Sequence, residues 1–230
     1  MSDTVSAWHL IFTADPALRA IVELSLQVSL SATFLAACIG APFGALVALT
    51  RFTGREALIV IMNALMGLPP VVIGLLVFLS LSRAGPLGSW GILFTPWAMV
   101  IAQTVLVTPI IAALTRQTIE DLWLEYQDEF AAMHVGAAQR VMTLLWDARF
   151  SLITALLAGF GRAAAEVGAI IIVGGNIDGF TRTMTTAIAL ETSKGNLSLA
   201  VSLGLILMAI VVLVSALAWG VRRVGQRFVA

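Results

Sequence analysis

The sequence predicts an all-α integral membrane protein that crosses the bilayer about five times, and three observations carry that prediction. Of the 230 residues, 60% are hydrophobic and 11% charged, against about 25% charged in soluble domains. The mean hydropathy is +1.00. Five uncharged stretches are each long enough to traverse ~30 Å of hydrocarbon at ~1.5 Å per residue. A membrane barrel would need alternating strands, so helices, whose backbone groups are satisfied internally, are the form that lipid permits here.

Residues 1–19 read as a short extracytoplasmic segment rather than a signal peptide, because Asp3 and Asp15 stand where a basic leader would be. Trp8, His9 and Phe12 suit a membrane interface, and Asp15-Pro16 reads as an N-cap with proline at the first helical position. The first crossing spans Leu24 to Thr50 and the second Ala57 to Ser82. The third lies within Ala84 to Thr115, starting near Ile92. The fourth runs from Phe150 to near Ile177, interrupted by Arg162 and Glu166, and the fifth from about Ser198 to Val221. Pro42, Pro69-Pro70, Pro96 and Pro109 are expected to interrupt the first three crossings, as breaks survive in lipid where neighbours or water satisfy the freed carbonyls. Gly40 and Gly44, one turn apart, suit close helix contact. No internal repeat is visible, and the chain reads as one domain.

Orientation follows the arginines. Arg51, Arg55, Arg116, Arg140, Arg149, Arg222, Arg223 and Arg227 fall on one side; Arg19, Arg83, Arg182 and Lys194 fall on the other. The first side is therefore expected in the cytosol, with the N-terminus outside and the C-terminus inside. Between crossings three and four, residues 120–149 hold six acidic residues (Glu120, Asp121, Glu125, Asp128, Glu129, Asp147) and two basic ones (Arg140, Arg149). This segment reads as a cytosolic knob. Glu129, Ala131, Ala132, Gly136 and Ala137 are expected to place small residues on a short helix ending in glycine, able to lie close against a partner.

Several chemistries are excluded. Lys194 is the only lysine, so no Gly-x-x-x-x-Gly-Lys phosphate cradle exists; if ATP is used, another subunit binds it. His9 and His134 are far apart and lack ligand spacing, and the single cysteine, Cys38, can form no intrachain disulfide. A net charge of zero makes nucleic acid an unexpected partner. No catalytic residue is expected in this chain.

Three stretches carry a resemblance. Asp128 to Gly136 resembles the cytoplasmic coupling loop of ATP-binding-cassette (ABC) importer permeases, with Ala131, Ala132 and Gly136 matching its Glu-Ala-Ala-x-x-x-Gly pattern, while Phe130 holds the glutamate position and Glu129 stands one step early. Leu68-Pro69-Pro70-Val71-Val72-Ile73-Gly74 is similar to an element of molybdate- and tungstate-type permeases. Gly161 to Ala169, with Val173-Gly174-Gly175-Asn176-Ile177, resembles the same group, and the continuation Thr181 to Gly195 looks most like its tungstate branch. The resemblance implies a type I ABC importer permease fold with a cytoplasmic coupling helix, acting as a homodimer in the plasma (inner) membrane. It further implies two cytoplasmic ATPase subunits that hold ATP and magnesium, an extracytoplasmic oxyanion-binding protein, and no cofactor in this chain. The cargo implied is tungstate. Molybdate, sulfate or another oxyanion stays open, as does a stand-alone channel or an ion-coupled carrier.

Candidate site residues follow. Glu129, Phe130, Ala131, Ala132, Gly136 and Ala137 are candidates for ATPase coupling, and His134 for an exposed surface position. Pro69, Pro70, Arg162, Glu166, Gly174, Gly175 and Asn176 are candidates for the pathway or its gate. Arg162 and Glu166 stand one helical turn apart, about 18 Å in from Phe150, where charges are costly unless paired and turned inward; the pair is expected to cancel itself. Thr181, Arg182, Thr183 and Thr185, with Thr186, form an outer loop whose hydroxyls suit contact with a binding protein or a tetrahedral oxyanion.

Overall fold

In the computed structural model, residues 16–229 are described, with side chains omitted at 222 and 224–229. The N-terminal expectations at Trp8, His9, Phe12 and Asp15 lie outside these residues. Helices make up all the regular structure among the described residues. Helix α1 covers Pro16–Leu49, α2 Arg55–Met66, α3 Pro70–Leu81, α4 Pro96–Ala132, α5 Ala137–Asp147, α6 Arg149–Ala164, α7 Gly168–Gly174, α8 Met184–Lys194 and α9 Leu197–Val229, with a 3₁₀ turn at Gly88–Trp90. Three helices (α1, α4 and α9) are long and apolar enough to cross a membrane, and the count reaches at most five when the bent pairs α2–α3 and α5–α6 are each taken as one span.

The backbone of the fold is the α1–α4 pair. At 34 and 37 residues they measure about 51 and 55 Å, well beyond the ~30 Å hydrocarbon layer. Gly40 and Gly44 set their approach: a Cβ at Gly40 would lie 2.8 Å from the Thr108 carbonyl oxygen, and one at Gly44 only 2.2 Å from that of Ala112. Backbone therefore rests on backbone, as the small-residue spacing predicts. Ala32, Ala36 and Ala45, all fully buried, extend the same stripe.

Proline acts differently from the expectation at several positions. Pro42 and Pro109 sit inside unbroken helices, and Pro96 begins α4 at its first turn. A ring inside a helix removes one N–H and frees one carbonyl, a defect smaller than exposing a whole helix end to lipid. Only Pro69-Pro70 breaks its crossing. Pro69 has φ −64° and ψ 119°, the residue before a proline is pushed out of the α region, and α2 and α3 meet at 99°. The crossing expected over Ala57–Ser82 is thus interrupted at its prolines, as the sequence suggests, into two 12-residue helices.

The third crossing also departs from the expectation. Helix α4 does not stop near Thr115 but continues through the polar segment to Ala132. No glycine or proline interrupts residues 110–132, and Arg116 pairs with Glu120 one turn on, which favours the helix. The fourth crossing is broken as the charges suggest: α6 ends at Ala164 and α7 resumes at Gly168. Apolar packing unites these parts. Val28, Ile73, Met99, Ala169 and Val173 bring α1, α3, α4 and α7 into one core, while Leu18, Ile21, Met184 and Leu203 join α1 to α8 and α9.

Candidate functional site

The α6–α7 break is organised by Glu166, which is 5% exposed. Its Oε1 accepts hydrogen bonds from the backbone N–H groups of Val167 (3.1 Å), Gly168 (2.9 Å) and Ala169 (3.4 Å). These are the donors that a helix start leaves without partners. Its Oε2 lies 3.3 Å from Arg162 Nη1, and the Arg162 side chain is 39% exposed. The two residues pair as their spacing predicts, but not along one helix, because Glu166 lies past the end of α6. The Glu166 carbonyl accepts from Thr185 Oγ1 at 2.8 Å, and Gln103 Nε2 on α4 donates to the Ala163 carbonyl at 2.9 Å.

The proline element meets this break. A Cβ at Gly74 would lie 2.7 Å from Ala169 Cα, and one at Gly168 2.7 Å from Val71 Cγ2. Glycine at 74 lets α3 rest on the α7 backbone, and glycine at 168 leaves room for the Val71 side chain. Pro69 and Pro70 therefore bend the chain beside the junction that Glu166 caps, so two motifs separated by roughly ninety residues share one locus. Gly174 ends α7, Gly175 follows in the left-handed region at φ 71°, and Asn176 shares that region at φ 50°. The turn is closed by Thr181, whose Oγ1 donates to the Gly174 carbonyl at 2.5 Å and accepts from the Ile177 N–H at 2.9 Å.

The outer threonines are not an open, hydroxyl-lined loop. Thr181, Thr183, Thr185 and Thr186 are all buried, with hydroxyls engaged inside the chain: Thr183 and Thr186 form the capping box of α8, and Thr185 reaches Glu166. Met184 N–H donates to Ser25 Oγ on α1 at 2.8 Å. Arg182 pairs with the exposed Asp178 at 2.9 Å. At the far end of α8, Glu191 accepts from Lys194 Nζ (2.9 Å) and Asn196 Nδ2 (3.0 Å); the Lys194 hydrogen bond, then that of Asn196, holds its carboxyl below the usual range.

The polar segment is not a short helix ending in glycine. Glu129, Phe130, Ala131 and Ala132 are the last turn of α4, Met133 caps it, and His134 turns the chain at φ 52°. Gly136 is the N-cap of α5, and Ala137 its first residue. Glu129, Ala131, Ala132, His134, Gly136 and Ala137 are exposed, whereas Phe130 is buried, stacked on Trp123 with ring centroids 6.1 Å apart. Phe130 thus anchors the turn that its exposed neighbours present. The Arg140 guanidinium covers Trp123 at 5.6 Å. The Glu125 carboxylate, with burial and the nearby Asp147 and Glu129, raises the Tyr126 phenol above its ordinary value.

Two further features were hidden in the sequence. The Glu120 carboxylate bridges Arg55 of α2 and Arg116 of α4, and Arg55 also donates from Nε to the Val47 carbonyl at 3.0 Å. One carboxylate thereby ties α2, α4 and the end of α1; Arg55 and Glu120 are 65 residues apart, beyond any local pattern. The second is a polar cleft of about 460 Å³ between α4 and α6, lined by Leu114, Gln117, Thr118, Asp121, Leu122, Asp147, Ala148, Ser151, Thr154, Ala155 and Ala158. Its mouth carries the exposed carboxylates of Asp121 and Asp147. Helical periodicity of the polar residues on α6 was the signal that could have found it.

No family model matches the chain. It is 40% identical over 216 residues, covering 92% of this chain and 90% of the relative, to a probable anion ABC transporter permease protein of Haloferax volcanii. It is 35% identical over 217 residues, 94% of this chain and 95% of the relative, to a tungstate uptake system permease protein of Peptoclostridium acidaminophilum. Among solved structures, the inward-facing MetNI methionine ABC transporter matches with TM-score 0.71 at 17% identity, covering 92% of this chain and 95% of that one; this likeness speaks to the fold.

Proposed function

The chain belongs to the family of ABC transporter permeases of anion and tungstate uptake systems, a multi-pass membrane subunit, and from that premise we propose that it forms the tungstate pathway of an importer. Two copies would enclose the pathway. Two cytoplasmic ATPase subunits would hold ATP and magnesium, and an extracytoplasmic oxyanion-binding protein would deliver the cargo. This chain would need no cofactor of its own.

One observation carries the reading: α4 runs unbroken from Pro96, inside the apolar bundle, to Ala132 at an exposed turn of small residues. A rigid helix that begins among the crossings and ends on a partner-accessible surface transmits force between the two. The Glu129–Ala137 turn would seat on the ATPase, and the Glu120 bridge would carry α2 with it. Motion of α2 would then bear on the Pro69-Pro70 bend, where α3 touches α7 beside Glu166. The Thr181–Thr186 segment, with Arg182, would lie on the side that receives the binding protein.

Orientation is part of the proposal. The Glu120 bridge gathers Arg55, Arg116 and the end of α1 at the knob, and α9 residues Leu213 and Val221 line a groove with Phe150 at the same end. Arginine density there supports a cytosolic knob and C-terminus, with the N-terminus outside.

The test is reconstitution. In proteoliposomes with the ATPase and a tungstate-binding protein, tungstate uptake should require ATP, and excess molybdate or sulfate should compete only as far as the binding protein accepts it. Uptake that persists without ATP, by a chain that retains no ATPase, would overturn the reading in favour of a carrier or channel.

A further inference from the structure

We propose that Arg162 is the cation the translocated oxyanion meets inside the membrane, exchanging its contact with Glu166 for the oxygens of the anion. The inference rests on the reading of this chain as an oxyanion permease and assigns the residue within the pathway that binds the cargo.

Three observations support the exchange. First, Glu166 does not depend on Arg162: its Oε1 keeps three backbone N–H donors when the guanidinium leaves. Secondly, Arg162 is underused. A guanidinium carries five N–H donors, yet its one polar partner among the described residues is Glu166 Oε2, at 3.3 Å. It is also 39% exposed at a depth of about 20 Å along α6 from Arg149. A charge left half open at that depth belongs against water or a cavity rather than lipid.

Thirdly, the helical register aligns it with the polar cleft. Ser151, Ala155 and Ala158 line that cleft, and Arg162 follows Ala158 by four residues in the same α6 helix. Steps of four, three and four residues keep one face of a helix. Arg162 thus stands one turn beyond the cleft's inner end, while Asp121 and Asp147 stand at its mouth. The sequence suggests a pair that cancels itself; the geometry instead divides the labour. The amides hold Glu166, so the planar guanidinium fork, suited to bidentate contact with an oxyanion, is free to turn. The carboxylates of Asp121 and Asp147 disfavour a dianion at the mouth, which leaves Arg162 as the cation on this face of α6 against which it can rest.

The test uses the complete transporter, with ATPase and binding protein, in proteoliposomes. Wild-type protein is measured first; absent tungstate uptake there would overturn the permease reading and this inference with it. Arg162→Gln should lower uptake at least tenfold while complex assembly and ATP hydrolysis persist, Arg162→Lys should keep part of the uptake, and Arg162→Gln with Glu166→Gln should stay low. Uptake within twofold of wild type in Arg162→Gln, or its restoration by Glu166→Gln, would overturn the inference and leave a structural ion pair. A second measurement leaves Arg162 in place. Ala158→Cys, on a Cys38→Ser background, should react with a charged, membrane-impermeant thiol reagent from the knob side, and tungstate should slow that reaction. Absence of labelling, or labelling indifferent to tungstate, would overturn the proposal.

Discussion

Two glycines show how differently one residue type can act. Gly44 has no room for a Cβ, since the Ala112 carbonyl oxygen would lie at 2.2 Å. Gly44→Leu should therefore force α1 from α4 and cost on the order of 1–3 kcal/mol or more, read as loss of monodisperse protein on detergent extraction. At Gly136 a Cβ would meet nothing within 4 Å, and φ is an ordinary −71°. Gly136→Trp should extract and melt like wild type, yet, if the proposed docking at this turn holds, uncouple ATP hydrolysis from uptake. Normal coupled uptake in that variant would argue against docking there. Glu191 supplies a pH prediction. Lys194 and Asn196 lower its folded-state pKa below the ordinary 4.5, so its contribution is present above that value and fades as pH falls through the lower folded value. The melting-temperature gap between wild type and Glu191→Gln should be widest near neutrality and close in acid.

At the scale of elements, the decisive feature is continuity in one helix and interruption in two crossings. Helix α4 persists through a change from apolar to charged sequence because nothing in 110–132 breaks it and because Glu120 satisfies two arginines. Glu120→Ala would leave Arg55 and Arg116 facing each other with side chains only 20% and 13% exposed. A loss on the order of 1–3 kcal/mol is expected, seen as a lower melting temperature, with Glu120→Gln intermediate. If Glu120→Ala melts like wild type, the bridge does not hold α2 to α4. The α2–α3 bend has the opposite origin: two adjacent prolines remove donors and forbid the α conformation before them. The α6–α7 break needs no proline, because a glutamate carboxylate supplies the cap.

For the whole molecule, the arrangement joins an apolar bundle to a polar turn through one rigid helix, and places the second and fourth crossings' breaks against each other. The sequence resemblance marks both breaks as separate motifs, and the fold brings them into backbone contact at Gly74 and Ala169. The same assembly places Thr181, Thr183, Thr185 and Thr186 in the interior, where Thr185 ties α8 to the Glu166 junction and the neighbouring Met184 N–H ties it to Ser25 of α1. This is a stronger reason for their presence in the chain's architecture than an open loop would give.

The sequence by itself determined that the chain is a helical membrane protein, where its long apolar stretches lie, that it lacks a lysine-bearing phosphate cradle, and that the Asp128–Gly136 and Gly161–Asn176 stretches carry the resemblance. Those properties follow from hydropathy, missing residue types and short-range spacing, all local. Only the tertiary structure decided that α4 continues to the knob, that Glu120 bridges two arginines, that Glu166 is held by three amides, and that Arg162 aligns with a polar cleft. Each of these depends on groups brought together by packing and capping, and a contact made across tens of residues leaves no periodic trace in the chain.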